Sequence, residues 1–286
     1  MSVHKYTGKY HTAAEPTPGV LHLSFNRPPV NAFHDDMWGE LRKTIEAVEF
    51  DAQYRVIVLA SSLEKYFTAG LDLADAQSTL AGRKGLDAAR QAFKLNKHLV
   101  DFQGAISSLQ ACRLPVIVAL HGACLGLAID LASACDVRLA AANASFAIAE
   151  VNVGLAADIG TLQRFPKVVG NDSKAREYAL TGRKFSAEEA KQIGFLSEVV
   201  PGGRKEVLDA ALGMAKTIAE KSPVAVVSTK HLMNHARDHS IQEGLQYTAA
   251  WNMSMLQAED TAIAMKAVLS RQTPNFPPLE PVKAKL

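Results

Sequence analysis

Short apolar runs alternate with segments whose apolar positions recur every three or four residues. Val20 to Phe25 and Val56 to Ser61 are compact apolar runs and predict strands. Between them Met37, Leu41, Ile45 and Val48 fall at helical spacing. A longer helix is predicted next, with Leu95, Leu99, Phe102, Ile106 and Leu109 on one face, ending before Pro115. Pro115 opens the segment PVIVAL, apolar throughout and rich in β-branched residues, as a strand buried on both faces requires. His121-Gly122 then turns the chain into a small-residue helix over Leu127 to Ala134, and Ser145 to Ile148 reads as a further short strand. This alternation predicts an α/β core. Beyond about residue 170 the pattern is helical. Ser186 with Glu189 forms a capping box, and Val207, Leu208, Ala211, Leu212, Ala215 and Ile218 trace one stripe. Two more helices are predicted around 240–257 and 258–271, and a proline-rich tail without regular structure from Thr273. No internal repeat and no low-complexity segment stands out.

A chain of 286 residues, 48% hydrophobic, suits one large domain or one domain with a helical appendage. Its 31 Lys and Arg nearly balance 29 Asp and Glu without any dense basic run, so neither nucleic acid nor a membrane surface is an expected partner. The most apolar stretch, Leu114 to Ala149, is interrupted by His121, Asp130, Asp136 and Arg138, which makes it core and not a membrane span. Cys112, Cys124 and Cys135 sit in apolar surroundings without C-x-x-C spacing, so buried reduced thiols and an intracellular setting are expected. The first residues, MSVHKYTGKYHTAAEPTPG, have neither an apolar leader core nor an Arg-rich pattern. The chain ends Ala284-Lys285-Leu286, a conservative variant of the Ser-Lys-Leu peroxisomal address, so the expected location is the peroxisome and an import receptor is an expected partner.

Chemistry concentrates in two glycine turns and three acids. Phe67-Thr68-Ala69-Gly70-Leu71-Asp72-Leu73 follows a predicted strand, and His121-Gly122-Ala123-Cys124-Leu125-Gly126-Leu127 is a strand-to-helix junction whose helix start offers free N–H groups. Such donors stabilise negative charge on a carbonyl oxygen, although most glycine turns are purely structural. Neither reads G-x-G-x-x-G. Asp130 lies inside an apolar helix, Glu150 ends an apolar strand, and Asp158 sits among small residues. A single such acid is ordinarily a salt-bridge or capping partner, as Asp136 is expected to be with Arg138 nearby. Three together, through desolvation and mutual repulsion, leave one carboxyl protonated while another is ionised, an acid and a base without a metal. His231, His235 and His239 recur at metal-like spacing, but Lys230, Arg237 and Asp238 on the same segment predict a solvated surface. Met233, Met253, Met255 and Trp251 read as core or interface packing.

Together the two turns resemble the enoyl-CoA hydratase/isomerase (crotonase) family, which pairs F-x-x-G-x-D-L with H-G-x-x-x-G-G-G. Asn26-Arg27-Pro28 and Asn31-Ala32 are similar to that family's CoA-facing segment, and the resemblance runs from about residue 18 to 272. It implies a ββα spiral core over residues 1–200 holding the active site, then a helical oligomerisation region over 201–286 that builds trimers or hexamers. It also implies an acyl-CoA substrate, no metal, and no cofactor beyond the CoA that arrives with the substrate. The oxyanion donors would be the N–H groups of Leu71 and Leu127, and Val30, Ala32, Ala69, Gly70, Asp72 and Leu73 would join them in contacting substrate. Where the family commonly has three glycines this chain has Gly126-Leu127-Ala128, so the Leu127 side chain is expected to narrow the pocket, and a positive φ there would be strained. Asp130 and Glu150 match the two acids of the family's hydratases. A third acid in V-G-L-A-A-D, here Val153 to Asp158, marks the dienoyl-CoA isomerase branch, which Trp251 to Gln257 also resembles. The implied reaction, part of unsaturated fatty acid β-oxidation, is a 1,5-proton transfer from 3,5-dienoyl to 2,4-dienoyl thioester. Glu150 would act at C2, Asp158 at C6, and Asp130 would orient the pair. Two alternatives stand beside it: a 2-enoyl-CoA hydratase using Asp130 and Glu150, and a non-catalytic acyl-CoA binding subunit.

Overall fold

The computed structural model describes residues 4–80 and 85–279; Ala284-Lys285-Leu286 lies outside the described residues. The chain opens with the antiparallel pair β1 (His11–Thr17) and β2 (Val20–Phe25), followed by α1 (Asp35–Val48). Three times thereafter a longer strand is followed by a short one and then by helix. β3 (Val56–Ser61) and β4 (Tyr66–Thr68) lead to α2 (Leu73–Leu80) and α3 (Ala88–Ala111). β5 (Val116–Leu120) and β6 (Ala123–Leu125) lead to α4 (Leu127–Ala134). β7 (Val137–Ala141) and β8 (Ser145–Ala147) lead through a 3-10 turn, Glu150–Val153, to α5 (Thr161–Val168) and α6 (Asp172–Thr181). After β9 (Phe185–Ser186), α7 (Ala187–Gln192) and β10 (Glu198–Val200) come α8 (Arg204–Ala219), α9 (Pro223–His235), α10 (Ile241–Met255) and α11 (Glu259–Ser270).

The five longer strands and the three-residue β10 form a six-stranded sheet, ordered β1-β2-β3-β5-β7-β10 and parallel from β2 onward. The other short strands form a second sheet, β4-β6-β8-β9. Each ββα turn thus gives one strand to each sheet, and the chain advances as a spiral. The sequence hides this repeat because the second strand of each turn has only three residues, too few for a period-two pattern. For the same reason β6 intervenes where the sequence predicts that His121-Gly122 leads straight into α4.

Alternate residues of β5 enter different cores. Val116, Val118 and Leu120 join the large cluster between the sheet and helices α1, α3 and α4, while Ile117 and Ala119 face α8 on the other side. The α8 contacts are Val207, Ala211, Ala215 and Ala219, small enough for the helix axis to lie close to the sheet. Apolar burial on both faces accounts for the uninterrupted hydrophobic run.

Helix α9 departs from its predicted solvated character. Lys230 is buried, and its Nζ donates to the carbonyls of Leu109 (3.0 Å) and Leu114 (2.9 Å) and pairs with Asp136 at 2.8 Å. Asp136 is therefore a structural acid, but its partner is Lys230 and not Arg138, whose guanidinium donates to the Phe195 and Cys135 carbonyls. His231 is half-buried, stacked on Trp251 at 4.0 Å and hydrogen-bonded to Tyr247. His235 stacks on both Tyr247 and His239. No metal-holding cluster of His, Cys, Asp and Glu occurs among the described residues. Met233 and Met253 are exposed and do not fill the core of the chain. All three cysteines are buried and unpaired.

Candidate active site

Segment 26–33 crosses the base of the first glycine turn and fastens it. The buried Asn31 amide donates to Ser61 Oγ (2.8 Å) and the Phe67 carbonyl (3.0 Å), and Thr68 Oγ1 donates to the Asn31 carbonyl. Arg27 Nη2 pairs with Asp72 at 2.8 Å while Nη1 donates to the Ala32 carbonyl. Phe33 N–H donates to the Gly70 carbonyl and Asp72 N–H to the Phe33 carbonyl, both at 2.8 Å. In that pairing the intervening Leu71 turns its own N–H to the opposite side.

The second turn meets the first there. Gly126, at φ +53°, precedes α4, so Leu127 takes the first helical position and its N–H has no intrahelical partner. Glycine absorbs the left-handed backbone and Leu127 is itself helical, so the positive φ that would strain a leucine does not arise there. A Cβ on Gly70 would stand 3.0 Å from the Leu125 carbonyl and 3.6 Å from Leu127 N. A Cβ on Gly126 would stand 3.1 Å from Glu150 Oε1. The two missing side chains let both turns and a carboxylate converge.

They converge on a cavity of about 550 Å³, a size suited to a small-molecule site. The residues that the family resemblance assigns to catalysis and substrate contact all line it: Val30, Ala32, Ala69, Gly70, Leu71, Asp72, Leu73, Leu127, Asp130, Glu150 and Asp158. The opposite wall is largely apolar, built from Leu95, Leu99 and Phe102 of α3 with Leu155 and Ile159. The stripe along α3 thus serves two tasks: Ile106 and Leu109 enter the core, Leu95 faces the cavity, and the intervening Leu99 and Phe102 touch both. His98, between Leu95 and Leu99, is a lining residue that sequence reasoning missed; its only signal is a polar residue flanked by that stripe.

The three acids differ in setting. Asp130 is buried in α4 and its Oδ1 accepts the Thr161 N–H at 2.6 Å. Burial first, then repulsion from Glu150, pushes its carboxyl up to about 7 against the opposing pull of Thr161 and Arg164. Glu150 opens the 3-10 turn and does not end the preceding strand, which stops at Ala147. Its Oε2 is buried without a hydrogen-bond partner among the described residues, and burial, with Asp158 adding repulsion, raises its pKa. Asp158 stands at the accessible mouth, its backbone carbonyl accepting from Gln103 Nε2 at 2.7 Å. Enough protein surrounds the Asp158 carboxyl for desolvation to raise its pKa as well, with His98 opposing. In Asp130 and Glu150 burial outweighs repulsion between the acids, and in Asp158 burial acts without it. Such a cluster can keep one carboxyl protonated while another is ionised, in the largely apolar cavity that Leu71 and Leu127 also line.

A family model described as enoyl-CoA hydratase/isomerase matches residues 15–278, and the chain belongs to that family. It is 44% identical over 265 residues to human mitochondrial Delta(3,5)-Delta(2,4)-dienoyl-CoA isomerase, covering 92% of this chain and 80% of that protein. It is 39% identical to the peroxisomal Delta(3,5)-Delta(2,4)-dienoyl-CoA isomerase of Arabidopsis thaliana, covering 90% and 92%. Among solved structures, an enoyl-CoA hydratase from Bacillus anthracis superposes with a TM-score of 0.84 at 27% identity, over 94% of this chain and 99% of that one.

Proposed function

We propose that this protein isomerises 3,5-dienoyl-CoA to 2,4-dienoyl-CoA during the β-oxidation of unsaturated fatty acids. The observation that carries the reading is the third acid. Asp158 lines the same cavity as Asp130 and Glu150, and hydration of a 2-enoyl thioester has no use for it. The names of the human and Arabidopsis relatives support the same assignment.

In this mechanism the Leu71 and Leu127 N–H groups receive the thioester oxygen, and Glu150 takes a proton from C2. The electron pair released delocalises through the diene and onto that oxygen, where the two donors stabilise it in a dry site. Asp158 delivers a proton to C6, leaving double bonds at C2 and C4. Glu150 then holds the proton it removed while Asp158 has given one up, and exchange through solvent at the accessible mouth restores both. Two carboxyls are needed because the carbon atoms lie four bonds apart. Asp130 orients the pair, and its charge raises the proton affinity of its neighbour. No metal and no separate cofactor enters, since CoA comes with the substrate. The Asp158→Asn variant should lose about 10²–10⁴-fold in isomerase kcat. Acyl-CoA affinity, measured by calorimetry, should hold. Undiminished turnover by this variant would remove the basis of the assignment. Assaying 2-enoyl-CoA hydration alongside decides against the hydratase alternative if only the dienoyl substrate turns over.

The location we propose is the peroxisome, through Ala284-Lys285-Leu286 and its import receptor. A fluorescent fusion preserving that terminus should be punctate, and removing the tripeptide should disperse it. We further propose a homotrimer or homohexamer assembled through the helices that follow α8.

A further inference from the structure

We infer that Arg164 is a positioning residue, acting from outside the cavity across Gly160 to favour the ionised form of Asp130. In its mechanistic part this rests on the isomerase reading above.

Arg164 does not line the cavity that holds the three acids. It faces a separate polar hollow of about 490 Å³ together with Gln103, Gln163, Lys167, Arg237 and Asp238, the last paired with Lys167. Its guanidinium is braced there: Nε donates to Gln110 Oε1 at 2.8 Å and Nη2 to Ser107 Oγ at 2.7 Å. Between it and Asp130 lies Gly160, whose φ of +142° is a conformation side chains avoid. A Cβ at that position would overlap Arg164 Nη1 and stand 3.9 Å from Asp130 Oδ1. The bare glycine face is therefore what lets cation and carboxylate approach, inside the range of about 6 Å over which opposite charges govern a carboxyl's ionisation. The same Asp130 oxygen caps the start of α5 through Thr161 N–H, so helix dipole and guanidinium favour the same charged form.

The remaining charges around Asp130 act in known senses. Glu150 repels it from the 3-10 turn, and Asp158 lies beyond Glu150 with His98 facing it from α3. Asp35, Asp72 and Asp75 also line the cavity. The short strands β4, β6 and β8 that pack against α4 carry no charged residue. Arg164 is thus the cation that offsets this acidic surround, and Arg237 works against it by disfavouring its charge.

The test is a double-mutant cycle read in two ways. Thermal melting against pH gives the stabilisation that Asp130→Asn produces in the wild-type and Arg164→Gln backgrounds, with Arg164→Met as a second neutral variant should the first fold poorly. If Arg164 favours the charged form, its loss makes ionising Asp130 harder, and the gain from Asp130→Asn above pH 7 becomes larger. Equal gains in both backgrounds overturn the inference. This arm needs no turnover and stays valid if the isomerase reading fails, which the wild-type dienoyl-CoA assay reveals by itself. The second arm is the kcat profile for 3,5-dienoyl-CoA. In Arg164→Gln its acid limb should move up by about one pH unit, a tenfold loss below the limb. KM should change little, and Arg164→Lys should move the limb back. A uniform loss of kcat at every pH, with the limb in place, would mean that Arg164 only braces the fold.

Discussion

Asp130 carries a cost that its position makes measurable. An ordinary aspartate titrates near 3.8, whereas burial and Glu150 hold this one up to about 7 in the folded chain. Between those values the unfolded chain has released the proton that the folded chain still binds. Stability present below the lower value is therefore lost as pH rises and levels off above about 7. Asp130→Asn keeps an oxygen for the Thr161 N–H and removes the charge. At pH 8 it should stabilise the protein by an amount on the order of 2–4 kcal/mol, since each tenfold difference in proton affinity between the folded and unfolded chain corresponds to about 1.36 kcal/mol. The gain should vanish near pH 4. Urea denaturation at several pH values checks this, and a gain independent of pH would contradict it. The acids were legible in the sequence because charged residues in apolar segments are costly and conspicuous. Lys230 escaped notice for the converse reason: it lies among other polar residues, and only the fold shows that its ammonium enters the interior.

The turns that carry the proposed oxyanion donors depend on glycines that cannot be exchanged for the next smallest residue. At Gly126, alanine would need the left-handed backbone and would press its Cβ toward Glu150 Oε1 at 3.1 Å. Strain of about 1–3 kcal/mol is expected in stability. The larger effect should fall on turnover, because a displacement of about 1 Å in a reacting group lowers rates on the order of 100-fold. Gly126→Ala should therefore melt only slightly lower than wild type while isomerase kcat collapses; equal kcat would show that the two turns have slack. Elements with long periodic patterns were readable from the chain alone: α1, α3, β2, β3, β5 and α8 all follow from apolar spacing. Of the second sheet only β8 was, as the run Ser145 to Ile148. Its other strands are defined by hydrogen-bonding partners distant in the chain, and Ala123–Leu125 has no local preference that separates it from a turn.

The Lys230–Asp136 pair, whose side chains are 5% and 22% exposed, fastens the helices after α8 to the spiral together with the Asn234 amide, which donates to the Gln110 carbonyl. Removing the cation leaves Asp136 half-enclosed with the Val116 N–H, and Lys230→Met should cost about 3 kcal/mol, the lower range for breaking a buried pair. Beyond that anchor the surface changes character. Helix α10 buries none of its residues, and Ile241, Leu245, Leu256, Val268 and Leu269 are all exposed, Leu269 by 88%. Fully covering one such side chain contributes about 1.5–3 kcal/mol, so a handful outweighs the entropy lost on association. The proposed trimer supplies the cover. Light scattering on the purified protein should then give three or six times the 30.8 kDa chain mass. Leu245→Glu combined with Leu269→Glu, placing charge in the covered surface, should shift it towards the single chain with little change in the far-ultraviolet circular dichroism. A wild-type mass equal to one chain at micromolar concentration would mean these helices bury their apolar face in some other way, and the assembly would have to be given up independently of the chemistry in the cavity.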